Sequence, residues 1–123
     1  LSRRRRMMEI KRGEGTGRVR RVVGHGDTLY LCGQTAKLDG PTIALQTRGV
    51  LKKVEDLLLK YGSDNEHILS VTIYLKDMSL FQGMNSIWDA WVKEGFEPAR
   101  ATVQAEMASP EILIELSVIA AKK

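Results

Sequence analysis

Arg100 and Glu115 are the two ionisable side chains whose settings give them chemistry to do. Arg100 follows Pro98 at the head of Ala99 to Glu106, where Arg100, Thr102, Gln104 and Glu106 alternate with Ala101, Val103 and Ala105. An arginine there offers a planar fork of N–H donors that fits a carboxylate at two points. Glu115 lies in Leu113-Ile114-Glu115-Leu116, with apolar residues on both sides. A carboxylate in such a strand is costly unless it is paired, hydrogen-bonded or partly solvated in a site. The residues alone leave two readings open. Either the pair serves a site, or it forms a structural salt bridge across neighbouring strands.

Other chemistries find less support. Cys32 is the only cysteine; on a strand end it is a nucleophile or a buried structural thiol, with nothing in the sequence to choose between them. A single cysteine forms no intramolecular disulfide, which points to a reducing compartment. His25 and His67 stand far apart and no His-x-x-x-His or Cys-x-x-Cys occurs, so no metal pattern is legible. There is no Gly-x-Ser-x-Gly elbow. Gly13, Gly15 and Gly17 suggest a phosphate cradle, but no helix pattern or Lys-Ser/Thr follows them, and a flexible turn is the better reading.

The elements that would position these residues follow from periodicity. A short edge strand is expected from Glu9 to Arg12. Two more, Val19 to Val23 and Thr28 to Cys32, are joined by the turn Gly24-His25-Gly26-Asp27, which places His25 on the surface. Ile43, Val50, Val54, Leu57, Leu58 and Tyr61 recur at helical spacing, with Pro41 suited to the first turn and Gly62 to the C-terminal cap. Gly49 inside this helix suggests close packing against a sheet, with a tolerated defect as the alternative. Leu69 to Leu75 alternates as a strand with one buried face. Ser79 and Gln82 have capping-box spacing and open a second helix, whose stripe Phe81, Met84, Trp88 and Trp91 ends near Gly95. The two tryptophans read as core, not as a stacking platform for nucleotides. Ala99 to Glu106 and Ile112 to Ala120 close the chain as strands.

The resulting order, β-β-α-β-α-β-β, predicts an α+β sandwich with two helices on one face of a mainly antiparallel mixed sheet. Something must cover the opposite face, and a neighbouring subunit is the obvious candidate. The 123 residues, 43% hydrophobic and 28% charged, suit one domain over residues 9–123. Residues 1–8 read as a disordered basic arm, native or left over from cloning or gene-start assignment, because Arg3 to Arg6 sit together there. Without those four, the 19 Lys and Arg fall to the same 15 as the Asp and Glu, so the body carries no strong field for a polyanion. No apolar stretch approaches the ~18–20 residues needed to cross a bilayer, and no secretory signal is legible, so the cytoplasm is expected.

The order of several short motifs along the chain resembles the Rid (YjgF) family of imine and enamine deaminases, also known as endoribonuclease L-PSP-like proteins. Leu29-Tyr30-Leu31-Cys32-Gly33-Gln34 is similar to the family's strand ending in small residue-Gly-Gln. Leu45 to Leu57 resembles its first helix, Val71 to Asp77 its third strand with the following Lys-Asp, and Met84-Asn85 its Asn-bearing second helix. Pro98-Ala99-Arg100 and Ile114-Glu115-Leu116 resemble its Pro-x-Arg and Ile-Glu-Ile signatures. The resemblance implies a chorismate mutase-like homotrimer with clefts between subunits. It implies hydrolysis of 2-aminoacrylate or 2-imino acids to 2-keto acids and ammonia, without metal or organic cofactor. Arg100 would clamp the substrate carboxylate and Glu115 would position or activate water. Backbone groups at Cys32 and Gly33, with Asn85 and Thr102, would line the pocket. The sequence departs from the family at three places: the family's usual Tyr falls near Val19, Thr102 replaces a common Cys, and Cys32 replaces a common Ser or Thr. Two other classes therefore stay on the table. One is a trimer that binds small molecules without turnover. The other, a ribonuclease or translation inhibitor, is disfavoured by the missing His pair and the near-neutral body.

Overall fold

Alternation of apolar side chains along two strands builds the centre of the molecule. Val71, Ile73 and Leu75 on one, and Ile114, Leu116, Val118 and Ala120 on the other, are each at most 2% exposed. In the computed structural model, which describes residues 2–123, the chain runs α1 (Arg3–Met8), β1 (Ile10–Arg12), β2 (Val22–His25), β3 (Thr28–Gln34) and α2 (Ile43–Lys60). It continues with β4 (Ile68–Leu75), α3 (Phe81–Trp91), β5 (Ala99–Gln104) and β6 (Ile114–Ala121). The sheet order is β1-β2-β3-β6-β4-β5. Every pairing is antiparallel except β4 with β5, which α3 connects as a crossover. This is the expected α+β architecture, with a mixed sheet.

Helices α2 and α3 lie on one face. Val50, Leu51, Val54 and Leu58 of α2 and Met84 and Trp88 of α3 join the strand side chains in one core. Neither of these two helices covers the other face. Tyr30 (46% exposed) and Val103 (44%) stand open there, with half-buried Thr72, Tyr74 and Ser117 between them. Apolar side chains left in water on a sheet face favour association.

Several boundaries differ from the sequence expectation, each for a local reason. Val19 sits in a loop, not in β2. Thr16 N–H donates to the Val19 carbonyl (2.8 Å) and Arg21 N–H to that of Glu14 (2.7 Å), so this stretch bonds to itself and the strand proper starts at Val22. The glycine-rich segment is thus a defined turn, closed by a bridge between Gly15 and Arg20. Pro41 precedes the α2 cap, which is Thr42, its side chain accepting from Leu45 N–H at 3.2 Å. Gly62 (φ +86°) does end α2, in a conformation that glycine adopts most readily. Gly49 packs against Asp39 and Ala36 of the segment after β3, not against the sheet. The Ser79 capping box does not form. Asp77 accepts from Ser79 N–H at 2.7 Å and caps a short 3-10 turn, Met78–Leu80, that leads into α3; the helix stops at Trp91, before Gly95. Strand β5 leaves the sheet after Gln104, and β6 begins only at Ile114.

At the N-terminus, Arg3–Met8 forms a six-residue helix where the sequence reading has an unstructured arm. Arginine and methionine are good helix formers, and Ser2 Oγ accepts from Arg5 N–H at 3.2 Å in the manner of an N-cap. Leu1, the start of that arm, lies outside the described residues.

Candidate functional site

Strand register decides which of the candidate side chains can meet. Arg100 pairs with Val71 on β4, and Val71 pairs with Val118 on β6, so Arg100 projects to the helix-covered face. Glu115 pairs with Tyr74 and projects to the open face. β4 lies between their strands. The two side chains are therefore on opposite sides of one sheet, and the salt bridge left open by the sequence does not exist in this chain.

On the helix side, the Arg100 guanidinium lies over the Trp88 indole, 5.2 Å from its ring centroid. Arg100 is half-buried, and among the described residues the structure gives it no acidic partner. Thr102, two residues on, shares its face. Thr102 Oγ1 and, on α3, Asn85 Oδ1 are buried and unpartnered. Buried polar atoms without partners are uncommon and mark places where a ligand or a neighbour completes the bonding. Arg100 and Thr102 thus lie on the side of β5 that faces Trp88 of α3, the helix that also carries Asn85.

On the open face, Glu115 lies beside a β-bulge in β3. The register shifts between Leu31 and Gln34, and a Cβ on Gly33 would run into Glu115 Oε2. Glycine at the bulge is what lets the carboxylate lie against the backbone. Glu115, Gly33, Tyr74, Ser117, Glu106 and Met107 line a hollow of about 190 Å³. A larger one, about 640 Å³, adjoins it along residues 104–110 and Lys76. Cys32 does not line the smaller hollow. Its sulfur lies 3.3 Å from Gln34 Nε2, which also donates to the Cys32 carbonyl at 3.1 Å.

The loop 105–113 that walls both hollows is anchored by residues the sequence reading passed over. Gln46, fully buried in α2, donates to the carbonyls of Glu111 (2.8 Å) and Gly40 (2.9 Å) and accepts from Leu113 N–H (2.9 Å). Lys76 Nζ donates to the Pro110 carbonyl at 2.7 Å. The Glu111 carboxyl is held below its ordinary range, chiefly by its own backbone N–H. The loop bearing Val19 is tied to α2. Lys60 donates to Glu14 at 2.8 Å and lowers its carboxyl pKa, and Tyr61 Oη accepts from Glu14 N–H at 2.9 Å. Val19 itself is 52% exposed. Among the described residues no three His, Cys, Asp or Glu side chains are grouped to hold a metal.

A sequence model of the family described as Endoribonuclease L-PSP matches residues 11–122. The chain is 40% identical to the RutC family protein YoaB of Escherichia coli K12, over 93% of this chain and 99% of that one. Among solved structures, a YjgF-family protein from Neisseria meningitidis superposes with a TM-score of 0.92 at 39% identity, covering 95% of this chain and 98% of the other. A Rid-family protein of unknown function, YyfA from Yersinia pestis, gives 0.82 at 28% identity, with 94% and 97% covered.

Proposed function

Because the chain belongs to the endoribonuclease L-PSP family, the YjgF/Rid group, we propose that it hydrolyses 2-imino acids and their enamine tautomers to 2-keto acids and ammonia. One observation carries the reading: Arg100 and Glu115 are half-buried and unpaired, on opposite faces of the sheet. A carboxylate-binding fork and a proton-transferring acid can then act on one substrate only where two copies meet. A homotrimer supplies such clefts and covers the open face with its Tyr30 and Val103.

In the proposed reaction Arg100 of one subunit holds the substrate carboxylate through two hydrogen bonds. Glu115 of the next orients water at the imine carbon. As the C–O bond forms, Glu115 takes a proton from the water and the imine nitrogen takes one from solvent, giving a carbinolamine. The proton then passes from Glu115 to the amine, the C–N bond breaks, the hydroxyl proton leaves, and the products are keto acid and ammonia. An enamine substrate first takes a proton at its terminal carbon. Such imines also hydrolyse in water without help, so orientation and one proton shuttle suffice. The protein acts as a cytoplasmic, cofactor-independent deaminase in this account.

Keto-acid release from an imine generated in the cuvette by an amino-acid oxidase or dehydratase tests the activity. A rate above the spontaneous one is expected. Sedimentation at micromolar concentration should give about three times the monomer mass; a monomer would remove the shared cleft. A second reading, binding without turnover, draws on the exposed Val19 where the family has Tyr. Tight keto-acid binding with no gain in rate would select it.

A further inference from the structure

We propose that Trp88 is a positioning residue, its indole holding the Arg100 guanidinium in the plane and direction that a substrate carboxylate requires. The inference rests on the reading of Arg100 as the carboxylate clamp and adds the part that makes the clamp rigid.

An arginine side chain has four rotatable bonds, and a free guanidinium samples many directions. In this chain it lies 5.2 Å from the Trp88 centroid. That contact sets the cation over the indole, and no hydrogen bond among the described residues occupies its N–H groups, which stay available for two parallel bonds. The platform is itself fixed. Trp88 is 6% exposed and packs in the core one turn after fully buried Met84. Its ring lies 5.7 Å from that of Trp91 at an interplanar angle of 47°, and Trp91 Nε1 donates to Glu55 on α2 at 3.2 Å. A chain of contacts thus runs from α2 through Trp91 and Trp88 to Arg100. Thr102 Oγ1, unpartnered, is on the Arg100 side of β5, and Asn85 Oδ1, also unpartnered, is on α3 three residues before Trp88. The stack does the work that an acidic partner does for most structural arginines, without neutralising the charge or occupying the donors. An arginine meant to bind a carboxylate needs that combination.

A purely structural Trp88 would affect all ligands alike, whereas a positioning Trp88 affects only those bearing a carboxylate. Calorimetry with 2-oxobutanoate and its neutral amide, 2-oxobutanamide, separates the two, with melting temperature and oligomeric mass recorded for each variant. Trp88→Leu should weaken 2-oxobutanoate binding about fivefold, the loss of a partly desolvated cation–π contact. It should leave the amide unchanged. Trp88→Phe, which keeps a ring and most of the packing, should weaken the acid by about twofold and carries the test if the leucine variant does not fold. Arg100→Ala should abolish selectivity for the acid over the amide. If Arg100→Ala loses that selectivity while folded Trp88 variants keep wild-type affinity for both ligands, Trp88 is core only and the proposal falls. Equal weakening of acid and amide by the Trp88 variants also overturns it. If Arg100→Ala keeps the selectivity, the clamp itself is wrong and the positioning role falls with it.

Discussion

Arg100→Lys is expected to lower kcat/KM for a 2-imino acid at least about tenfold, since lysine keeps the charge but not the planar two-point fork. Losing one member of a buried, charge-assisted pair costs about 2–5 kcal/mol in comparable interfaces. Arg100→Ala should therefore fall further. Stability should move much less. Arg100 makes no ion pair among the described residues, and its stack on Trp88 accounts for about 0.5–1 kcal/mol. Turnover and thermal unfolding measured together on both variants check this. Full activity in folded Arg100→Ala would exclude the clamp. The competing structural role, a bridge to Glu115, has no place in this fold, because the two side chains leave the sheet on opposite faces.

The largest effect on stability is expected at Gln46. Gln46→Leu keeps the volume but leaves the carbonyls of Gly40 and Glu111 and the N–H of Leu113 without their present partner. Each buried group left unpaired costs about 1–3 kcal/mol, partly relieved where the loop can open to water. A loss of at least about 2 kcal/mol is predicted, which for a domain of this size is on the order of 10 °C in melting temperature. Activity should fall at temperatures where the variant is still folded, because the loop 105–113 supplies Glu106 and Met107 to the hollow beside Glu115. A variant within about 0.5 kcal/mol of the parent would mean that Lys76 and the chain's own turns suffice to hold the loop.

Gln46 also shows where the sequence stops being informative. The steps from Ile43 to Val50 and Val54 put positions 46 and 47 on the buried face, so a polar residue there was a visible anomaly. Two of its three partners were not visible, since they are backbone groups more than sixty residues away in the chain. The same division runs through the fold. Local patterns gave the two long helices, the alternating strands and the Gly62 cap, because those depend on neighbours a few residues apart. The parallel pairing of β4 with β5, and the place of β6 between β3 and β4, depend on how the strands assemble and left no local signal. That hid the most consequential fact about the site. Arg100 and Glu115 each stood out from its own surroundings, and only the strand order puts them on opposite faces. Trp88 was legible as core, as its burial bears out, while its contact with Arg100 needed the register of β5 against α3. Asp77 and Ser79 both suit a helix start, and the structure uses the aspartate.

The central claim, that each site takes its arginine from one subunit and its acid from another, is tested most directly by mixing two crippled proteins. Arg100→Ala and Glu115→Gln, made separately, should each form trimers with little or no imine hydrolysis. Co-expressed in equal amounts with different tags and purified as mixed trimers, they should regain activity. Each mixed trimer, of either composition, places an intact Arg100 opposite an intact Glu115 in one cleft, roughly a third of the clefts. Mixed trimers no more active than either parent, with co-assembly verified by both tags, would contradict the shared site.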